Sequence, residues 1–133
     1  MTTFQLVRNE IKEQIDDYLL TFNEFSHEFG IHDNELEIYL ETLTQNYFSF
    51  CFSFHTASKT VYINRAFLPQ DLQNKGIALN LIRITFQVAQ KYNYNTYVIQ
   101  IANKNFYASL VTRKARRVTY DEVQITHETK LTK

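Results

Sequence analysis

The stretch Gln73-Asn74-Lys75-Gly76-Ile77-Ala78 stands between an apolar run ending near Leu68-Pro69 and a long amphipathic run. It falls in a chain with only two glycines and one proline. Few other positions allow a sharp backbone turn, so this one limits how the chain can fold. Gly76 has no side chain, so an anion's phosphates can approach the backbone there. The N–H groups at a helix start have no partners inside the helix, and the helix dipole favours negative charge at that end. The other reading of a Gly-x-Ala is an ordinary strand-to-helix turn in which the glycine is purely steric.

The neighbouring patterns place this stretch in an α/β context. From Tyr47 to His55 the chain alternates strictly. Phe48, Phe50, Phe52 and Phe54 fall on one face, and Tyr47, Ser49, Cys51, Ser53 and His55 on the other, which is the period of a strand with one apolar face. Ala57-Ser58-Lys59 reads as a turn into a second strand, Thr60 to Leu68, making a hairpin that leads to Gly76. The helix after Gly76 puts Ile77, Leu81, Ile84 and Val88 on one side and Asn80, Arg83, Gln87 and Lys91 on the other, so one face packs on a sheet. Thr96 to Ala102, rich in β-branched and aromatic residues, reads as a central strand buried on both faces. Strand, helix and strand then form a parallel crossover. A further helix is expected from about Asn105 to Lys114, and one or two strands between Val118 and His127.

Toward the N-terminus, Phe4 to Val7 reads as a short strand, and Asn9 as the cap of a helix carrying Ile11, Ile15, Tyr18, Leu19, Phe22, Phe25 and Phe29 at helical spacing. Gly30 would end it. A second helix is expected after Asp33, with Leu36, Tyr39, Leu40 and Leu43 on one face and Glu35, Glu37 and Glu41 toward solvent. No repeats or linkers interrupt the 133 residues, which suit one domain.

Composition removes several function classes. Cys51 is the single cysteine, so neither an internal disulfide nor a cysteine cluster for structural zinc can form. No metal site is expected. No apolar run reaches the roughly 18 residues of a membrane span, and Met1-Thr2-Thr3-Phe4-Gln5 lacks the features of a signal peptide, so a cytoplasmic protein is expected. Net charge is zero, but residues 1–50 hold two basic and ten acidic residues, whereas residues 51–133 hold twelve basic and four acidic ones. The basic half suits an anionic cofactor and the acidic half a cationic acceptor such as an amine. Alternatively, the two halves neutralise each other across the folded surface. Arg113, Lys114, Arg116 and Arg117 cluster at the end of the last helix, where they complement its dipole. Contact with cofactor phosphates or with nucleic acid is the other reading, and the lack of aromatic interleaving and of overall basicity argues against nucleic acid.

The pattern Gln/Arg-x-x-Gly-x-Gly/Ala after a buried strand, opening a helix, resembles the acyl-CoA pyrophosphate loop of the GNAT superfamily of N-acyltransferases. The order of elements resembles that family over most of the chain, best from Val61 to Arg116. The resemblance implies a GNAT-like mixed central sheet with splayed parallel strands, two N-terminal helices and helices on both faces. It implies acetyl-CoA as acyl donor, with Ala66, Phe67 and Leu68 along the pantetheine arm and the backbone of Gln73, Asn74, Lys75, Gly76, Ile77, Ala78 and Leu79 on the phosphates. Asn105 fits the family's asparagine after the second splayed strand, with Ala108 at the spacing of its small residue. Asn103 is the alternative, and helix capping is the other reading of either asparagine. The implied activity is transfer of an acetyl group to a primary amine by direct attack in a ternary complex.

The chain also departs from the family. Thr112 stands where many members place a general-acid tyrosine, Arg116-Arg117 replaces the Gly-Phe after the last helix, and the N-terminal half is one strand short. Tyr107 or Tyr120 would have to serve as the acid. A base toward the amine is sought in His55, on the polar face of its strand, with Glu24, Glu28 and His27 as helix-borne alternatives. Cys51 lacks the matched histidine and acid of a nucleophile. These departures keep open a non-catalytic acyl-CoA-binding or regulatory protein of the same fold. A protein-interaction domain stays open too, in which the Phe48 to Phe54 stripe makes a homodimer surface unless the sheet core buries it. The identity of the amine is not legible in the sequence.

Overall fold

The computed structural model of the chain describes residues 1–42, 47–64 and 76–132. Helix α1 (Thr3–Leu19) begins earlier than the Asn9 cap suggested, and there is no strand at Phe4 to Val7. The Thr2 N–H donates to Gln5 Oε1 at 2.9 Å, which satisfies a donor ahead of the first turn. The apolar spacing of Val7, Ile11 and Ile15, all fully buried, then carries the helix to Leu19.

From residue 20 to Thr42 the chain forms no helix, which corrects the two-helix reading of the N-terminal half. Strands β1 (Phe25–His32) and β2 (Glu35–Thr42) form an antiparallel hairpin, in register from Phe25 opposite Thr42 to His32 opposite Glu35. The turn passes through Asp33 in a left-handed conformation at φ 53. Asn34 anchors it to the next strand, its side chain donating to the Phe54 carbonyl at 3.1 Å. Gly30 ends nothing. It sits opposite Glu37 within β1, where an added Cβ would lie 3.2 Å from both His32 Nε2 and Tyr39 Cε2. Leu36, Ile38 and Leu40 are fully buried, a period of two that outweighs the helical spacing of Leu36, Tyr39 and Leu40. The hairpin supplies strand content that the sequence reading lacked.

Strand β3 (Tyr47–His55) turns through Lys59, left-handed at φ 49, into β4 (Thr60–Asn64). Helix α2 (Ile77–Lys91) crosses to β5 (Asn95–Ile99), which pairs parallel with β4. Helix α3 (Lys104–Thr112) leads to β6 (Arg116–Thr119), and β7 (Glu122–Ile125) folds back between β6 and β5. Among the described residues the result is a seven-stranded mixed sheet in the order β1-β2-β3-β4-β5-β7-β6, parallel only at β4/β5. This is the mixed α/β architecture that the resemblance implied. The described part of β4 ends at Asn64, and β5 is shorter than the Thr96 to Ala102 run; any splay of the two strands falls outside the described residues.

Register aligns the core across the sheet. Leu36, Phe52, Ile63, Val98 and Val123 are successive cross-strand partners or share a partner's face, and all five are fully buried. Phe50 and Phe54 extend the same face, so the described part of the phenylalanine stripe, Phe50, Phe52 and Phe54, lies in the core rather than on a dimer surface. α1 and α2 pack on one another, and both bury side chains in this cluster, as α3 does with Leu110. Helices on both faces were expected; among the described residues they all bury into this one face. β5 likewise is buried on one face only, with Thr96 and Val98 enclosed and Tyr97 and Ile99 half-exposed. No helix among the described residues is long and apolar enough to cross a membrane.

Candidate active site

A parallel strand pair needs a crossover, so the start of α2 sits at the C-terminal end of the pair. There Gly76 is the residue before α2, in a left-handed conformation at φ 76, ψ 8. A side chain would be strained at that φ. Having none, Gly76 offers no cap to the N–H groups of the first turn, and no acidic residue lies in that turn to repel an anion. Ile77 is fully buried, anchoring the turn, while Ala78 and Leu79 pack half-buried against the core. Of the other residues assigned to the cofactor, Ala66, Phe67, Leu68, Gln73, Asn74 and Lys75 lie outside the described residues.

At the same end of the sheet β5 stops in a left-handed step at Gln100, φ 53, and the Ile101 N–H donates to the Asp121 carbonyl at 2.9 Å. This step opens an open-sided cleft of about 570 Å³ lined by Gln100, Ile101, Ala102, Lys104, Tyr107, Tyr120 and Asp121. The two candidate tyrosines therefore meet in one cleft. They differ in freedom: the half-buried Tyr107 donates its hydroxyl to the Thr119 carbonyl at 2.7 Å, whereas Tyr120 is 89% exposed. Asp121 accepts from Thr119 Oγ1 at 2.9 Å, fixing the carboxylate at the β6–β7 turn. Lys104 and Asp121 were missed in the sequence. The turn signal Thr119-Tyr120-Asp121 was present, but nothing local shows that the end of β5, remote in the chain, faces it.

The two asparagines separate. Asn103 caps α3, its Oδ1 accepting from the Phe106 N–H at 3.0 Å, as the capping alternative held. Asn105 and Ala108 are exposed on α3. Thr112, in place of the family's tyrosine, is exposed at the helix end.

The structure does not bring His55 to this end. His55 pairs with Thr60 at the start of β4, while Gly76 follows the other end of that strand, and its ring meets Tyr62 edge-on at 4.9 Å. His27 and Glu28 lie on β1 rather than on a helix; His27 is held by Asp16 at 2.6 Å. Cys51 is buried, its thiol 3.6 Å from Glu35 Oε2. Among the described residues no cluster of three or more His, Cys, Asp or Glu could hold a metal ion.

The acidic N-terminal half meets the basic half at Glu10, which accepts from Lys91 Nζ and from the Tyr92 hydroxyl, both at 2.8 Å. The Lys91 hydrogen bond holds the Glu10 carboxyl below its usual range, and Glu10 in turn raises Lys91 and Tyr92. Toward the other end of α2, Asn80 donates to the Tyr18 hydroxyl at 3.0 Å and accepts from Arg83 at 3.2 Å. Burial pushes the Tyr18 phenol up. At the other cluster, Arg113 donates to the carbonyls of Lys130 and Thr132 at 3.1 and 3.0 Å, tying the C-terminal segment to the end of α3.

No protein-family model and no curated protein matches the chain. Among solved structures it is similar to Tetrahymena GCN5, with 12% identity over 87% of this chain and 72% of that one at a TM-score of 0.46. It is also similar to nourseothricin acetyltransferase, with 4% identity over 76% of this chain and 81% of that one at a TM-score of 0.43.

Proposed function

We propose that this chain is an acetyl-CoA-dependent N-acetyltransferase acting on a primary amine. The observation that carries the reading is the left-handed Gly76 opening α2 at the C-terminal end of the parallel β4/β5 pair, the end of the sheet at which a cleft holds two tyrosines. Parallel α/β sheets bind ligands outside the carboxyl ends of their strands, and a helix start there whose N-cap glycine brings no side chain fits a pyrophosphate. The sequence resemblance to the GNAT pyrophosphate loop names the ligand class.

Acetyl-CoA supplies an acyl group activated as a thioester. The chain's part is to hold and orient. In this reading the backbone N–H groups of Ile77, Ala78 and Leu79 hold the phosphates, with Ala66, Phe67, Leu68, Gln73, Asn74, Lys75, Asn105 and Ala108 completing the site as the resemblance assigns. Asp121 attracts the cationic amine into the cleft. The hydroxyl of Tyr120, free to turn, is better placed than that of Tyr107 to give a proton to a leaving thiolate. Direct attack in a ternary complex needs no covalent enzyme intermediate, consistent with a buried Cys51. The cytoplasmic setting remains part of the proposal.

A non-catalytic acyl-CoA-binding protein is the second reading, favoured by the engaged Tyr107 hydroxyl and by Thr112 at the family's tyrosine position. Free-thiol release from acetyl-CoA across a panel of small amines, polyamines and lysine peptides decides between them. Amine-dependent release establishes the transferase. Binding of acetyl-CoA without release establishes the second reading, and neither binding nor release refutes both.

A further inference from the structure

The face of the sheet opposite the helices carries one transverse row whose two ends have opposite charge. Cross-strand pairing aligns Glu35 with Ser53, Ser53 with Tyr62, Tyr62 with Tyr97, Tyr97 with Gln124, and Gln124 with Arg116. These six residues occupy β2, β3, β4, β5, β7 and β6, which are adjacent in the sheet. Partners in register point to the same face, so all six side chains share it. It is the face the apolar core does not use. Tyr62 and Tyr97 are half-exposed and do not pack against the buried cluster, although their rings stack on each other at 5.6 Å and 29°.

The row is symmetric about the gap between β4 and β5. Glu35 and Arg116 each stand on the third strand from that gap, about 12 Å away at a strand spacing of about 4.8 Å. Both ends are held by neighbours in or beside the row. Ser53 Oγ donates to Glu35 Oε2 at 3.3 Å, and Arg116 Nη1 to Gln124 Oε1 at 3.4 Å. A two-fold axis lying along the strands over the Tyr62/Tyr97 gap exchanges the ends. It sets Glu35 over Arg116 of the partner subunit twice, and Tyr62 over Tyr97 of the partner subunit twice.

We propose that a second copy of this chain covers this face, forming a face-to-face dimer whose axis runs between β4 and β5. A two-fold interface must be self-complementary, and this row is: its charges are opposite at equal distances and its centre is aromatic. Sheets packed face to face keep their strands within about 30° of one another, which an axis along the strands permits. With zero net charge, two copies carry no overall repulsion. The proposal does not depend on the acyl-transfer reading.

Sedimentation equilibrium over a concentration series tests it with Glu35→Arg and Arg116→Glu. The parent is expected to dimerise. Each single variant places like charges face to face and is expected to weaken dimerisation about a hundredfold or more. Mixed in equal amounts, the two variants restore both opposite-charge pairs and are expected to dimerise with each other as the parent does. Rescue can only be intermolecular, because Glu35 and Arg116 sit five strands apart in one chain. Circular dichroism checks folding. If Glu35→Arg does not fold, Arg116→Glu on the exposed β6 carries the test alone. A monomeric parent, an Arg116→Glu variant that dimerises like the parent, or a folded mixture that stays monomeric would each overturn the proposal.

Discussion

Lys91 in the last turn of α2 places its Nζ 2.8 Å from Glu10 Oε1 in α1, and the neighbouring Tyr92 hydroxyl reaches the same oxygen at the same distance. The pair joins the acidic and basic halves of the chain. It lies near the surface, so its contribution to stability is small, but its sign with pH is fixed. Glu10 is depressed from 4.5, so its contribution is complete above that value and is lost as pH falls through the folded value. Lys91 and Tyr92 are raised from 10.5 and 10.0, so theirs is present below those values and is lost as pH rises through the folded ones. A Glu10→Gln variant is therefore expected to melt below the parent at neutral pH, with the gap closing in strong acid. Paired thermal melts across pH check it; a gap that persists in acid contradicts the assignment.

Ile38 distinguishes the observed hairpin from a helix over the same residues. On a helix defined by Leu36, Tyr39, Leu40 and Leu43 it would lie off the apolar face and tolerate truncation. In β2 it is fully buried, paired with Phe50 in the core. Ile38→Ala is expected to cost about 2–5 kcal/mol in denaturant unfolding. A loss under about 0.5 kcal/mol, typical of surface positions, would mean that the side chain is not in the core.

Those residues also show what the sequence carries and what it does not. The Tyr47 to His55 alternation, the Ala57-Ser58-Lys59 turn and the α2 periodicity were legible because each is a local pattern with a single period. Residues 22 to 42 satisfy both periods: Phe22, Phe25 and Phe29 fit a helix, and Phe25, Phe29 and Ile31 fit a strand face. Pairing with β3, whose Phe50 and Phe52 lie opposite Ile38 and Leu36, resolves the ambiguity, and that partner lies outside the stretch whose period is being read. The cleft was half legible. Tyr107 and Tyr120 were singled out, but Lys104 and Asp121 join them only through the β5–β7 register. His55 was the reverse case: the right chemistry on the wrong end of a strand.

Thr96 is fully buried in β5, and among the described residues its Oγ1 has no hydrogen-bond partner. A buried unsatisfied hydroxyl is costly. Thr96→Val, close to it in shape, is expected to stabilise the protein by about 1 kcal/mol and raise Tm by about 3 °C. A lower Tm would show that the hydroxyl is bonded in solution.

Asn103 and Asn105 are expected to behave differently on removal. Asn103→Ala loses the α3 cap and is expected to cost about 1 kcal/mol of stability while leaving acetyl-CoA affinity unchanged. Asn105→Ala, exposed on the helix, is expected to change stability by less than about 0.5 kcal/mol and to weaken acetyl-CoA binding. Melting curves and titration calorimetry on the two variants measure both quantities. The reverse pattern would transfer the cofactor role to Asn103.

Thermal unfolding with and without acetyl-CoA, on the parent and on Gly76 variants, tests the central claim most directly. Ligand at about one hundred times its dissociation constant stabilises by roughly 2.7 kcal/mol, a rise of several degrees in a domain of this size. Gly76→Asn, whose side chain tolerates the left-handed conformation, serves as the strain control for Gly76→Glu, which adds a negative charge where the phosphates would lie. The expected result is a shift in the parent, a reduced shift in Gly76→Asn and none in folded Gly76→Glu. A parent that melts at the same temperature with saturating acetyl-CoA, or a Gly76→Glu variant that shifts as the parent does, would contradict the assignment of this site to an acyl-CoA.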